Sequence, residues 1–148
     1  MNKKRIILIL FLIAVVISCK QEQSKIIFHK SHEPNRQTAP FNDAVETDGL
    51  LFLTGQIGKN HAEGKLVEGG IQAETKQTIE NIKAVLEHHN LSLDNVVKCT
   101  VILKDINDFS AFNEVYRQYF VKKPARTTFA ASGLAGNAKI EIDVIAAK

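Results

Sequence analysis

Arg126 and Glu141 are the two side chains whose types and settings suggest chemistry. Arg126 follows Pro124 and Ala125 and opens an extended segment, and its planar guanidinium can hold a carboxylate through two parallel charge-assisted hydrogen bonds. Glu141 lies in a segment that alternates apolar and polar residues, and a carboxylate within one water's reach of a substrate can manage that water's proton. Taken alone, each has a simpler interpretation. Arg126 would form a surface salt bridge, and Glu141 would be a solvated strand carboxylate like Asp143 beside it.

The cysteines, histidines and glycines give little reason to expect a nucleophile, a metal or a phosphate-binding loop. Cys99 lies in an apolar run, where a buried, unreactive sulfur is the ordinary expectation. His88 and His89 are adjacent and cannot share one helical face, and no second cysteine pair supports zinc. Gly69 and Gly70 lack the spacing of a phosphate cradle. We therefore predict no metal and no cofactor.

Two amphipathic helices and several short strands must position these residues. Both helices are predicted from apolar side chains at three- and four-residue spacing, and the second of them is aromatic. Strands separated by two long helices predict an α+β domain, a mixed β-sheet with both helices packed on one face. The predicted elements are an edge strand over 25–29, a strand over 50–53, a helix over 71–89, a strand over 96–103 that is buried on both sides, a helix over 109–120, an extended segment over 127–129 and a strand over 139–144.

The sheet face without helices is expected to be apolar, with Cys99 and Val101 among its side chains. An exposed apolar face of this size needs a cover. Self-association around a shared axis, with clefts between the subunits, is the economical answer.

The first eighteen residues are typical of an export signal. Lys3, Lys4 and Arg5 precede an apolar stretch over 6–17 that is too short to span a membrane comfortably. Val16-Ile17-Ser18-Cys19 resembles a bacterial lipobox, whose cysteine is lipidated after cleavage. The alternatives are a buried helix with an incidental cysteine and an uncleaved membrane anchor.

The sequence thus divides into a lipoprotein signal peptide over 1–18, lipidated Cys19 with a tether over 19–24, and a domain over 25–148. The predicted location is the bacterial cell envelope, facing the periplasm or anchored in the outer membrane through the lipid. The signal holds three of the nineteen basic residues and none of the sixteen acidic ones, which leaves sixteen of each sign. A balanced charge gives no reason to expect nucleic-acid binding.

Nine short blocks spread along the mature chain resemble, in order and spacing, the RidA/YjgF family of reactive imine deaminases. Any one of them would be weak support, but the ordered set is specific. The blocks are Pro40 followed by an aromatic residue, Gly49 before an apolar strand, Thr54-Gly55-Gln56-Ile57, Thr78-Ile79-Glu80-Asn81-Ile82, Val97-Lys98-Cys99-Thr100-Val101, Asp105-Ile106-Asn107-Asp108-Phe109, Asn113 with Tyr116, Tyr119 and Phe120, Pro124-Ala125-Arg126-Thr127, and Lys139-Ile140-Glu141-Ile142.

The resemblance implies a fold similar to the small trimeric chorismate mutases and a homotrimer with sites at the subunit interfaces. It also implies an activity without a cofactor: hydrolysis of 2-imino acids such as 2-iminopropanoate and 2-iminobutanoate, or of their enamine tautomers, to 2-oxo acids and ammonia. Arg126 matches the family arginine that binds the substrate carboxylate, and Glu141 matches the carboxylate that positions the attacking water.

The remaining substrate contacts implied by the resemblance are the backbone at Gly55 and Thr128, together with Thr54 and Phe41. Phe41 stands where the family usually has tyrosine and so removes a hydroxyl, and the segment before Pro124 is shorter than usual. The alternative to an enzyme is a non-catalytic trimeric module that binds small carboxylates. Ribonuclease or chaperone activity, suggested for some relatives, has little support from a mature domain without net charge.

Overall fold

A seven-stranded mixed sheet carries the two helices within residues 24–148, the part of the chain that the computed structural model describes. Predicted strand and helix positions are confirmed to within a few residues. The elements are β1 (Ile27–His29), β2 (Ala44–Thr47), β3 (Leu50–Leu53), β4 (Gln56–Ile57), β5 (Lys59–Asn60), β6 (Lys65–Leu66), α1 (Gly70–His88), β7 (Val96–Leu103), α2 (Phe109–Tyr119), β8 (Ala125–Ala130) and β9 (Ile140–Ala147).

The sheet has the order β1-β2-β3-β9-β7-β8, with β4 also paired to β9. All pairs are antiparallel except β7 with β8. Strands β3 and β4 both pair with the same edge of β9. Phe52 pairs with Ile145 and Gln56 pairs with Ile142, so the chain advances four residues on one side and only three on β9. The extra residue makes a bulge-like break at Thr54 and Gly55, and such breaks bend a strand and redirect its side chains.

The core lies between the sheet and the helices. Every side chain predicted for the buried face of α1, among them Ile79, Ile82 and Leu86, is buried, and Phe112 of α2 is fully buried. The spacing of apolar residues that predicts α1 leaves the polar Glu74 on another face of the helix, and this expectation was wrong. It is 5% exposed, and its carboxylate accepts a hydrogen bond of 2.8 Å from the Lys139 N–H, which satisfies a charge that would otherwise be costly to bury.

Two predictions about β7 were wrong. The strand is not buried on both sides, because its exposure alternates along its length, as the two-residue period of a strand demands when one face is covered. Cys99 and Val101 lie on the covered face and are fully buried. The open face nevertheless carries exposed apolar side chains, as expected, although Lys98, Thr100 and Asp143 lie among them. Its exposed aromatic side chains are Phe28, Phe52 and Phe129, from strands β1, β3 and β8.

The chain also forms strands that were not predicted. β2 pairs with β1 and β3. β5 and β6 form a separate two-stranded hairpin in the glycine-containing segment between β3 and α1, where no strand was predicted. None of the helices within residues 24–148 is both long and apolar enough to traverse a membrane. The predicted signal peptide over 1–18, Cys19 and nearly all of the tether lie outside these residues.

Gly58 allows α1 to approach the strands beside it, and its replacement by alanine tests that packing. A Cβ at Gly58 would lie 2.6 Å from the Cα of Glu74, so the helix must shift to admit it. We expect Gly58→Ala to lower the free energy of unfolding by about 1–3 kcal/mol, measured by urea denaturation. Gly133→Ala is the matched control, because nothing lies within 4 Å of a Cβ there. Equal midpoints for the two variants would contradict the prediction.

Candidate functional site

Four of the predicted site residues meet in one cavity beside the break between β3 and β4. The cavity has a volume of about 710 Å³, and Glu141, Gly55, Thr54 and Phe41 are among its lining residues. Glu141 reaches it because it lies opposite Ile57 on β9, on the sheet face that the helices leave open.

Glu141 occupies a setting that disfavours its charged form. Its side chain is partly buried, and this burial, together with the negative charge of Asp143, raises its pKa above the usual value for a glutamate. A Cβ at Gly55 would fall on the carboxylate of Glu141. Glycine at position 55 therefore gives the carboxylate its place against the backbone of the strand break.

Three basic side chains that the sequence analysis missed line the same cavity: Arg36, Lys59 and His61. Arg36 donates to the Gln56 side chain at 2.7 Å and pairs with the buried Asp43 at 2.9 Å. Its Nη1 also lies 3.2 Å from Nε2 of His61. Burial and the positive charge of Arg36 lower the pKa of His61 below its ordinary value, which favours a neutral imidazole at neutral pH.

Arg126 does not line this cavity. Its Nη1 donates to Oδ1 of Asn113 at 2.7 Å, and its guanidinium carbon lies 4.6 Å from the ring centre of Tyr116, 5.1 Å from that of Phe112 and 5.7 Å from that of Phe109. The aromatic stripe of α2 is therefore partly core and partly a support for this cation, which such rings attract. Asn113 belongs to one of the blocks that resemble the family, but its contact with Arg126 was not predicted from the sequence.

Thr128 lies on the same strand as Arg126, at the outer edge of the sheet. The Ala131 N–H donates to the Leu103 carbonyl at 2.9 Å, and N–H groups alternate in direction along a strand. The N–H of Thr128 therefore points away from β7, toward the edge that has no neighbouring strand among residues 24–148. Both the Arg126 side chain and the Thr128 amide belong to that free edge.

Arg126 and Glu141 cannot meet within one chain. Arg126 is aligned with Cys99 and Val144, whereas Glu141 is aligned with Ile102. Because β7 lies between β8 and β9 and the two positions differ by three residues along the strands, their Cα atoms are separated by roughly 14 Å. Their side chains also leave opposite faces of the sheet, since Cys99 faces the helices and Glu141 does not.

Cysteine and histidine side chains supply neither a nucleophile nor a metal site in the described part of the chain. Burial raises the pKa of the Cys99 thiol to about 11, which keeps it protonated and unreactive. His29, His88 and His89 do cluster, with ring centres 4.5 Å apart for His29 and His89 and 5.3 Å for His88 and His89. No group of three or more potential ligands between residues 24 and 148 is arranged to hold a metal ion.

Comparison with known proteins now gives the family. The profile of the Endoribonuclease L-PSP family, the family of RidA and YjgF, matches residues 31–148. The chain belongs to this family. A RutC family protein of Pyrococcus horikoshii is 46% identical over 110 residues, which cover 74% of this chain and 87% of that protein. The 2-iminobutanoate/2-iminopropanoate deaminase of Capra hircus is 44% identical over 108 residues, 72% of this chain and 79% of the relative.

The fold of this RidA/YjgF family member is also that of solved relatives. The crystal structure of E. coli TdcF with bound serine superposes with a TM-score of 0.75 at 28% identity, and the match covers 82% of this chain and 98% of TdcF. The names within the family are of different kinds, since they include an endoribonuclease, an imine deaminase and RutC proteins. The family therefore supports imine deamination as a class of activity, and the choice of reaction depends on the chemistry of the site.

Asp143 should control the ionisation of Glu141 in this RidA/YjgF domain. Removing the negative charge of Asp143 takes away one cause of the raised pKa, so Asp143→Asn should move the pKa of Glu141 downward toward its ordinary value. Carbon-detected NMR titration of the Glu141 carboxyl measures this shift. Glu68→Gln removes an exposed carboxylate that is not a cause of the shift and should leave the titration unchanged. An unchanged or higher pKa in Asp143→Asn would contradict this assignment.

Proposed function

We propose that this protein hydrolyses 2-imino acids such as 2-iminopropanoate and 2-iminobutanoate, or their enamine tautomers, to 2-oxo acids and ammonia. The observation that carries the proposal is the partly buried carboxylate of Glu141, held against Gly55 in a cavity that has room for a small imino acid. A carboxylate with a raised pKa is a better base for water than an ordinary one, because proton-transfer efficiency improves as the pKa approaches the working pH.

The chemistry needs one group that both takes and returns a proton. The water oxygen bonds to the carbon of the protonated imine while Glu141 removes one of its protons, which gives a carbinolamine. Glu141 then returns this proton to the nitrogen, the carbon–nitrogen bond breaks and ammonia leaves. The carbinol hydroxyl gives its proton to the departing ammonia, which becomes ammonium, and the carbon–oxygen bond becomes the carbonyl of the 2-oxo acid. Ionised Glu141 is regenerated, and no cofactor enters the balance.

Arg126 is proposed to hold the substrate carboxylate, with the N–H of Thr128 as a second donor. Asn113 and the rings of α2 fix one side of the guanidinium, so little ordering is left to do when a carboxylate arrives. A site that uses both Arg126 and Glu141 requires a second copy of the chain, because one chain separates the two. We therefore propose a homotrimer with interfacial sites, similar in assembly to the small trimeric chorismate mutases, in which the apolar open faces cover one another.

The activity is tested by generating the imine in situ with an amino-acid oxidase and measuring the rate at which the imine disappears. Arg126→Ala should lower kcat/KM for 2-iminopropanoate by roughly 100-fold or more, since a desolvated charge pair is worth several kcal/mol. Glu141→Gln should lower kcat by about 10²–10⁴-fold. Arg117→Ala, which removes an exposed arginine of α2, is the matched control and should retain activity. Wild-type rates in Arg126→Ala would eliminate the mechanism.

Mixing two inactive variants tests whether the site is shared. If Arg126 and Glu141 come from different copies, co-refolding Arg126→Ala with Glu141→Gln creates some interfaces with both residues intact. Random mixing in a cyclic assembly should restore about a quarter of the wild-type sites. Each variant refolded alone is the control. Absence of recovered activity in mixtures of confirmed oligomers would place both residues in a single chain.

A binding module without turnover is the second candidate, favoured by Phe41, which lines the cavity with no hydroxyl to orient a substrate. In that case small 2-oxo acids would bind, and binding would depend on Arg126, but imine loss would not accelerate. The charge of the domain does not favour nucleic-acid binding, since sixteen basic residues balance sixteen acidic ones after position 18. RNA cleavage by a purified sample that is lost in Glu141→Gln would reverse that view.

We also propose that the domain is carried to the cell envelope as a lipoprotein through Cys19. The motif and the basic and apolar residues before it support this proposal. Incorporation of labelled fatty acid into the wild type but not into Cys19→Ala is the expected result. Equal labelling of the two, or none of either with the protein in the soluble fraction, would refute it.

A further inference from the structure

We propose that the Glu141 cavity selects imino acids whose side chain ends in a second carboxylate, and that Lys59 is the residue that recognises this group. The inference rests on the proposed function and names its substrate class: imines of acidic amino acids, such as 2-iminosuccinate and 2-iminoglutarate.

The charges around the cavity leave Lys59 as its available cation. Arg36 is neutralised by the buried carboxylate of Asp43, and His61 is held toward its neutral form. Lys59 makes no salt bridge or side-chain hydrogen bond with any residue between 24 and 148. It is also absent from the causes of the Glu141 pKa shift, so its charge does not serve to neutralise the catalytic carboxylate.

The backbone at Lys59 is held firmly although β4 has ended two residues before it. The side-chain amide of Asn81, on α1, donates to the Ile57 carbonyl at 3.0 Å and to the Lys59 carbonyl at 2.9 Å. Gly58 between them packs closely on Glu74. Lys59 therefore stands at a fixed place on the cavity wall, where a lysine on a mobile loop would spread its charge over many positions.

The spacing suits a short dicarboxylate. Ile57, the last residue of β4, lies opposite Glu141, and Lys59 follows two residues later at the start of β5, so its Cα is at most about 7 Å from that of Ile57. A substrate held by its first carboxylate at Arg126 of another copy, with the imine carbon at Glu141, would extend its side chain into this cavity. One or two methylene groups then bring a terminal carboxylate within reach of the flexible Lys59 ammonium.

The experiment compares kcat/KM for imines generated from glutamate and from alanine by amino-acid oxidases. We expect the wild type to prefer the glutamate-derived imine, and Lys59→Met to lower the ratio of the two constants about tenfold, with a larger fall in Lys59→Glu. Lys65→Met is the matched control, because Lys65 is exposed on the same hairpin and does not line the cavity. It should leave the ratio unchanged.

The outcomes separate this proposal from the activity itself. Hydrolysis of both imines with the same ratio in wild type and in folded Lys59→Met would overturn the role of Lys59 and leave the deaminase standing. Acceleration of neither imine by the wild type would overturn the deaminase. Calorimetric titration with 2-oxoglutarate and pyruvate then tests the selectivity. Lys59→Met should bind 2-oxoglutarate more weakly than the wild type does and pyruvate equally well. Equal affinity of the two proteins for 2-oxoglutarate would overturn the role of Lys59.

Discussion

The two-residue period of the strands determines where every functional group of this domain can lie. Along β9 the even-numbered residues pack beneath the helices and the odd-numbered ones face the open side of the sheet, so Glu141 is directed into a cavity outside the core. Along β8 the same rule turns Arg126 toward α2. A carboxylate and an arginine placed on opposite faces of one sheet can cooperate only across two copies. The exposed aromatic side chains of the open face, Phe28, Phe52 and Phe129, offer apolar area that the proposed association would bury.

The local electrostatics of the cavity follow from the break between β3 and β4. The extra residue there allows Gly55, which lacks a Cβ, to stand beside Glu141. The carboxylate thereby loses water on one side and keeps Asp143 as a neighbour of like charge, and both effects raise its pKa. Arg36 does not offset them because its charge is bound to Asp43. The cavity is thus able to hold a basic carboxylate and an available lysine at the same time.

The sequence predicted most of the secondary structure because long periodic segments are the strongest local signal. The helix α1 and strands β3 and β7 are found where they were expected. The same reasoning failed where burial depends on distant partners: Glu74 lies inside because the Lys139 N–H meets it, and β2 forms because two other strands flank it. Arg36, Lys59 and His61 were missed for a related reason. They belong to segments too short to show a periodic pattern, and only the fold brings those segments to Glu141.

Arg126 shows what a family resemblance alone leaves unexplained. Its position in a block that resembles the family suggests that it binds a carboxylate. An arginine side chain has many rotamers, however, and ordering it costs free energy at the moment of binding. Here the three aromatic rings and Asn113 order the guanidinium before any ligand arrives, and the Asn113 bond uses only one of its five N–H donors. The fork remains able to offer a parallel pair of donors along its free edge, beside the outward N–H of Thr128. The aromatic stripe of α2, which looks like ordinary core packing, therefore also orders this arginine for the carboxylate contact proposed above.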